Sequence, residues 1–279
     1  MKRALKTYYA DVPNMGDLLN ELLVRNVFGY DIVRHKPATC ELSVIGSGMD
    51  CFLKNTYIYP KYWSLWQEFR AKFTSGPVNV WCTGFIFNEK SDSNGFYRDM
   101  QFHSVRGYLT KARVEKILGK KLDIPVGDGG LITPYLFSKP IEKKYAVGVI
   151  PHFKEQSEPI FQEIASKFNN SFIINLRDDP MEVIRQIAQC DIIISSSLHG
   201  LILADSFGIP NQWVVVTSNL KGDGFKFDDY YSAFNLKSNP LKVTSSNIPS
   251  VNEIIDNFKI TPAMMEAKQK EIFNAFPFK

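Results

Sequence analysis

Short apolar runs rich in Val and Ile alternate with helix-patterned stretches along the chain, and most of the runs end in glycine, serine or arginine. That alternation predicts an α/β fold of doubly wound sheets. A length of 279 residues suits two such domains of about 140 residues each. The segment 133–144, with two prolines and four charged residues, reads as the linker between them. The expected architecture is two Rossmann-like domains, 1–138 and 139–250, facing a cleft, with the tail 251–279 forming helices able to cross back onto the first domain.

The first half reads as a strand at 4–9, the turn Asn14-Met15-Gly16-Asp17 and a helix at 18–27. Strands at 42–45, 78–82 and 102–105 end in Gly46-Ser47-Gly48, Thr83-Gly84-Phe85 and Arg106. Thr110 is placed to cap a short helix reaching Leu118, and 124–126 leads into Gly127-Asp128-Gly129-Gly130. The second half opens with a strand at 145–150 that runs into Pro151-His152-Phe153. A helix at 158–168, a strand at 172–176 and a helix at 180–189 follow, the last with Asp179 as cap and Pro180 at its first position. Beyond 210 come a strand at 213–216, a polar loop through Gly222-Asp223-Gly224, and helices at 251–258 and 262–276.

The stretch 190–210 carries the most information. A buried strand at 192–194 meets Ser195-Ser196-Ser197, and a helix opens at His199 and Gly200 and stops at Gly208-Ile209-Pro210. Ser196, Ser197, Leu198, His199 and Gly200 therefore lie at the carboxyl end of a strand, where open α/β sheets bind ligands. The positive end of the helix favours an anionic ligand there.

Other candidates share that placement. Arg106 and Arg177 each follow an apolar strand, where a guanidinium can grip a carboxylate or phosphate through two nitrogens. His152 ends a strand as His199 does, and imidazole is suited to proton transfer near neutral pH. Gly46, Ser47 and Gly84 let backbone amides approach a ligand, although tight turns at strand ends explain them equally well. Asn14, Gly16 and Asp17 read as a helix cap, as cleft lining, or as both. His35 and His103 have no such context and read as structural. No His, Cys or carboxylate cluster has metal-ligand spacing, so neither metal nor organic cofactor is expected.

A hydrophobic share of 44%, a charged share of 22% and a net charge of +4 describe an ordinary folded chain with a mild basic bias. That bias suits an anionic small molecule or a membrane surface; with Lys and Arg spread along the chain, nucleic acid is not expected as a partner. Cys40, Cys51, Cys82 and Cys190 lack paired spacing and read as free thiols of a reducing compartment. Neither a leader peptide nor a membrane span is expected, which gives a cytoplasmic location. Tyr62, Trp66, Phe69 and Phe73 recur at helical spacing among Lys61, Arg70 and Lys72. They predict a helix burying an aromatic face in the core; the alternative is a basic aromatic helix resting on a membrane.

Three motifs in order resemble the polysaccharide pyruvyl transferase family: Asn14-x-Gly16-Asp17, Ser104-x-Arg106-Gly107 with Thr110, and Ser196-x-Leu198-His199-Gly200 before Gly208-x-Pro210. The resemblance covers roughly residues 10 to 215 and implies a glycosyltransferase-B-like architecture. It implies transfer of pyruvate from phosphoenolpyruvate to two hydroxyls of one sugar, with the acceptor on the first domain and the donor on the second. The acceptor would be a polysaccharide or a lipid-linked precursor, and a lipid-linked one would place the protein at the inner face of the membrane. Ser197 stands where many members carry arginine, so Arg106, Arg177 or a lysine would have to supply that charge. His199 is the expected general acid/base, with Arg106 and His152 beside it. A nucleotide-sugar glycosyltransferase, with Asp128 or Glu182 on the donor, and a non-catalytic glycan- or phosphate-binding protein are the alternative readings.

Overall fold

A computed structural model describes residues 2–10, 15–56, 58–88, 95–217 and 224–278. Asn14 and the Gly222-Asp223 part of the polar loop lie outside the described residues.

The first half contains β1 (Lys2–Tyr8), α1 (Met15–Asn26), β2 (Tyr30–Arg34), β3 (Leu42–Ser43), α2 (Lys61–Ala71), β4 (Val78–Val80), β5 (Met100–Phe102) and α3 (Tyr108–Leu118). Its strands form one sheet in the order β2-β1-β3-β4-β5, every neighbouring pair parallel. The second half contains β6 (Tyr145–Ile150), α4 (Ile160–Ser166), β7 (Ser171–Ile173), α5 (Pro180–Ala188), β8 (Cys190–Ser195), α6 (Leu198–Ser206), β9 (Asn211–Val215), α7 (Phe225–Ser232) and β10 (Leu241–Lys242). This sheet runs β10-β9-β8-β6-β7, again all parallel. Counted within its own half, each sheet has the order 2-1-3-4-5, one of the two common doubly wound orders. Helices α8 (Val251–Asn257) and α9 (Pro262–Asn274) close the chain.

The strand order locates the candidate ligand site. A doubly wound sheet opens a crevice where the winding reverses, beyond the strand carboxyl ends. The reversals fall between β1 and β3 in one sheet and between β6 and β8 in the other.

Alternation within the buried strands explains their double cover. Val147, Val149, Ile192 and Ile194 face Phe161, Ile164 and Val214, whereas Ile150 and Ile193 join the larger cluster with Leu201, Ile202 and Leu203. Apolar residues on both strand faces leave no solvent side, as a parallel strand requires. Helix α6 is buried almost all round for the same reason. The tail returns to the first sheet: Trp81 Nε1 donates to Ile272 O at 2.8 Å, and Phe276 stacks on Phe28 with centroids 3.8 Å apart.

Several element boundaries differ from the sequence reading. Helix α1 begins at Met15, so Gly16 and Asp17 lie in its first turn and not before it. Gly107 is the N-cap of α3, and Thr110 sits inside the helix, where its hydroxyl donates to Asp229 at 2.7 Å. The expected strands at 102–105 and 172–176 pair over Met100–Phe102 and Ser171–Ile173. Residues 133–136 are no linker. They belong to a 3-10 helix, Gly129–Leu136, whose Leu131, Ile132 and Thr133 are fully buried.

The largest departure is α2, which packs the opposite way from the core helix expected. Ser64, Gln67 and Ala71 are buried, while Tyr62, Leu65, Trp66, Phe69 and, just past its end, Phe73 are 50–76% exposed. Hydrogen bonding decides this. The Gln67 carboxamide oxygen accepts from Ala38 N at 3.4 Å, and Glu68 accepts from Asn55 N at 3.0 Å and Ser64 Oγ at 3.3 Å. The polar side of the helix finds its partners in the protein, and the aromatic side is turned out.

Candidate active site

The two reversal points open into one cleft of about 380 Å³. From the first half it is lined by Tyr8, Tyr9 and Asp17, by Gly46, Ser47 and Gly48 after β3, and by Cys51, Ile58 and Tyr59. From the second half come His152, Phe153 and Lys154 after β6, Ser197, Leu198 and His199 at the start of α6, and Lys226 in α7.

His199 is the centre of this arrangement. It extends from the first turn of α6, where backbone N–H groups lack intrahelical acceptors, and lies against α1. A Cβ on Gly16 would overlap the imidazole ring, so only glycine at 16 lets α1 approach so closely. That contact is the physical reason a glycine opens α1 opposite the histidine. Ser197 is the N-cap of α6 and lines the cleft without a side-chain cap bond. Gly200 faces the Ser195 hydroxyl, and Ser195 in turn accepts from Ser197 N at 2.9 Å, which fixes the turn between β8 and α6.

Ser196 is fully buried and does not line the cleft; its hydroxyl accepts from His152 N at 2.8 Å. It ties the β6 turn to the β8 turn and so sets the spacing of the two histidines. His152 Nδ1 accepts from Lys154 N at 3.3 Å, leaving Nε2 as the nitrogen available to the cleft.

Arg106 is fully buried. Its Nε donates to Asp229 at 2.9 Å, one terminal nitrogen to Ser47 Oγ at 2.7 Å and the other to Phe85 O at 2.6 Å. Asp229, itself fully buried, also accepts from Thr110 N and Oγ1, both at 2.7 Å. Asp229 belongs to α7 in the second half, so this ion pair fastens the two halves directly behind the cleft. Gly84 packs flat on the guanidinium, where a Cβ would overlap it. Arg106 thus reaches the cleft through Ser47. Arg177 is exposed and donates to Phe153 O at 3.3 Å, behind a lining residue. The rival carboxylates also lie elsewhere: Asp128 caps the buried 3-10 helix, and Glu182 pairs with Arg185 at 2.7 Å on α5.

Two cations that sequence reasoning passed over line the cleft: Lys154 and Lys226. Lys154 adjoins the Pro151-His152-Phe153 signal and could have been found from it. Lys226 lies in FKFDDYYS, where nothing in the pattern marks it.

The second-half wall of the cleft is basic, with Asp17 on the first-half side. Burial, aided by Lys226 and Lys154, pushes His152 down to about 3. Burial together with Lys226, Arg106 and His152 does the same to His199, also to about 3. Lys226 is itself lowered to about 8, by burial and then by Arg106, partly offset by Glu155. Burial first, and the neighbouring positive groups after it, hold the imidazoles neutral, and a bound anion would oppose the second of these effects. Opposite them, the hydroxyls of Tyr8 and Tyr59 lie 3.0 Å apart and each contacts Cys51 Sγ, giving the first-half wall an aromatic, hydroxyl-bearing surface.

Fold and candidate site together define a doubly wound α/β protein whose two parallel sheets face one cleft lined by two histidines and two lysines. The polysaccharide pyruvyl transferase family pattern matches residues 14–217, and the chain belongs to that family. It is 31% identical over 145 residues to the uncharacterized protein L143 of Acanthamoeba polyphaga mimivirus, half of each chain. It is 27% identical over 150 residues to the succinoglycan biosynthesis protein ExoV of Rhizobium meliloti (strain 1021), 53% of this chain and 45% of that one. The chain spans about half the length of the relatives it matches.

Proposed function

We propose that the protein transfers pyruvate from phosphoenolpyruvate to two hydroxyls of one sugar in a polysaccharide or its lipid-linked precursor, forming a cyclic ketal and releasing phosphate. The observation that carries this reading is the convergence of His152, His199, Lys154 and Lys226 with the N-terminus of α6 at one cleft wall. A small, multiply charged anion suits that wall, because charge-assisted bonds and a helix N-terminus both favour it. Lys226 and Lys154 are positioned to take the charge that arginine supplies at the Ser197 position in many family members. The two halves would work as glycosyltransferase-B-like domains, the donor on the second and the acceptor on the tyrosine-lined wall of the first.

The chemistry needs one proton donor and one proton acceptor. Donor binding raises the proton affinity of His199, which then protonates the methylene carbon of phosphoenolpyruvate. One sugar hydroxyl adds to the adjacent carbon and gives its proton to His152. The bond from that carbon to the phosphate oxygen breaks, and phosphate leaves. The second hydroxyl closes the ring, and its proton leaves on phosphate or on His199. The sum is phosphoenolpyruvate plus a sugar diol giving a pyruvyl ketal plus phosphate.

The test is phosphate release from phosphoenolpyruvate against aryl and lipid-linked glycosides ending in galactose, mannose or glucose, with product mass read in parallel. Acceptor-dependent release with one added pyruvyl ketal establishes the activity. Stabilisation of the fold by phosphoenolpyruvate without turnover on any acceptor makes the protein a binding module. Stabilisation by uridine diphosphate and not by phosphoenolpyruvate transfers the assignment to a nucleotide-sugar enzyme.

A further inference from the structure

We infer that the outward face of α2 is a docking surface for an anionic phospholipid bilayer, and that it sets the mouth of the cleft at the lipid surface. Tyr62, Leu65, Trp66, Phe69 and Phe73 form one stripe along this helix and its end, each at least half exposed. Trp66 and Phe69 lie 5.9 Å apart by ring centroid, and Phe69 and Phe73 lie 5.1 Å apart, so the patch is continuous. Patches of this kind on a folded surface mark interaction sites. Aromatic rings with flanking cations are the composition that settles at a membrane interface.

The charge pattern selects the occupant. Lys61, Arg70 and Lys72 are exposed around the stripe, with Lys54 in the preceding turn. The one acid of the helix, Glu68, is spent on Asn55 N and Ser64 Oγ. An isologous contact with a second copy would set these cations against their own counterparts, whereas an anionic headgroup layer attracts them. The face also adjoins the site. Ile58 and Tyr59 line the cleft immediately before α2, and Tyr59 packs on Trp63 of the helix with centroids 3.8 Å apart. A lipid-linked acceptor held in the bilayer would enter beside Tyr59; this consequence, unlike the docking itself, rests on the proposed function.

Co-sedimentation with vesicles of phosphatidylglycerol and phosphatidylcholine, against pure phosphatidylcholine, tests the docking. Each surface cation contributes about 1 kcal/mol, or roughly fivefold in partition. Arg70→Glu with Lys72→Glu should therefore lower binding to anionic vesicles by at least about 25-fold, and Trp66→Ser with Phe69→Ser should lower it on both vesicles. Both pairs should keep wild-type phosphate release on a soluble aryl glycoside, since none of the four residues lines the cleft. Wild-type protein that ignores anionic vesicles overturns the inference. So does vesicle binding indifferent to both variant pairs, or a wild-type dimer in sedimentation velocity that these substitutions dissociate. Vesicle binding with no turnover on any acceptor keeps the docking surface and removes the activity; turnover without vesicle binding does the reverse.

Discussion

The Arg106–Asp229 pair offers the sharpest test of how the two halves are held around the cleft. Both side chains are fully buried, and Asp229 accepts three hydrogen bonds, from Arg106 Nε at 2.9 Å and from Thr110 N and Oγ1 at 2.7 Å. Asp229→Ala leaves a fully buried guanidinium without its counter-charge, and such breaks cost about 3–5 kcal/mol. At roughly 2–4 °C per kcal/mol for a chain of this size, the melting temperature should fall by about 6–20 °C. Arg106→Met leaves the carboxylate stranded and should cost a similar amount. The double variant Arg106→Met/Asp229→Leu removes both charges and should recover much of the loss, because an apolar pair of similar volume is often as stable as the ion pair it replaces. Urea denaturation of wild type, Arg106→Met, Asp229→Leu and the double variant closes a double-mutant cycle, with a coupling energy of at least about 3 kcal/mol expected because the double variant should lose no more than either single. Single variants within 1 kcal/mol of wild type, or losses that simply add, would refute the reasoning that this pair is a buried fastening between the halves.

Gly16→Ala should favour the helical form of α1, since alanine exceeds glycine by about 1 kcal/mol in helix propensity. Its methyl would nonetheless displace the His199 ring, so turnover should fall at least about 100-fold in a protein that still melts cooperatively; unchanged turnover would show that the ring contact does not matter. His199→Ala should cost at least about 100-fold in kcat, the usual scale of general acid–base catalysis, and a near-normal rate removes it from the chemistry. Lys226→Met should raise the KM for phosphoenolpyruvate by about 10–150-fold, the equivalent of one charge-assisted bond of roughly 1.5–3 kcal/mol. Because Lys226 carries its proton below about 8, the wild-type KM should rise with pH through that value, and the variant should lose the dependence.

Proton linkage gives a further check on the cleft. The two imidazoles titrate at about 3 when folded and free of ligand, and near 6.5 in the unfolded chain. Between those values the unfolded chain holds more protons, so their contribution to stability is full above 6.5 and falls as the pH drops below it. An anion in the cleft favours the protonated imidazole, so phosphoenolpyruvate binding at pH 6 should take up protons. Calorimetry in buffers of different ionisation enthalpy reads that number directly. Zero uptake, or release, contradicts a cleft in which cations crowd the histidines.

The local pattern of this chain carried its class and much of its candidate cleft lining. Val and Ile runs bounded by Gly and Ser, with helical stretches between them, specify buried parallel strands because those signals lie within a few residues of one another. The same locality placed Ser197, Leu198, His199 and His152 at strand ends. It could not decide which strand lies beside which, yet that order sets the two reversal points and brings them to one cleft. Arg106 shows the limit plainly. Its position after a strand is legible, but its partner Asp229 lies 123 residues away, and that ion pair holds it behind the cleft. Lys226 enters the cleft lining only because α7 packs on α3 and on Trp213 of β9. For α2 the periodicity was clear and the direction was not. An aromatic stripe looks the same whether it faces the core or the solvent, and the bonds of Gln67 to Ala38 and Glu68 to Asn55, contacts made only in the folded chain, turned it outward.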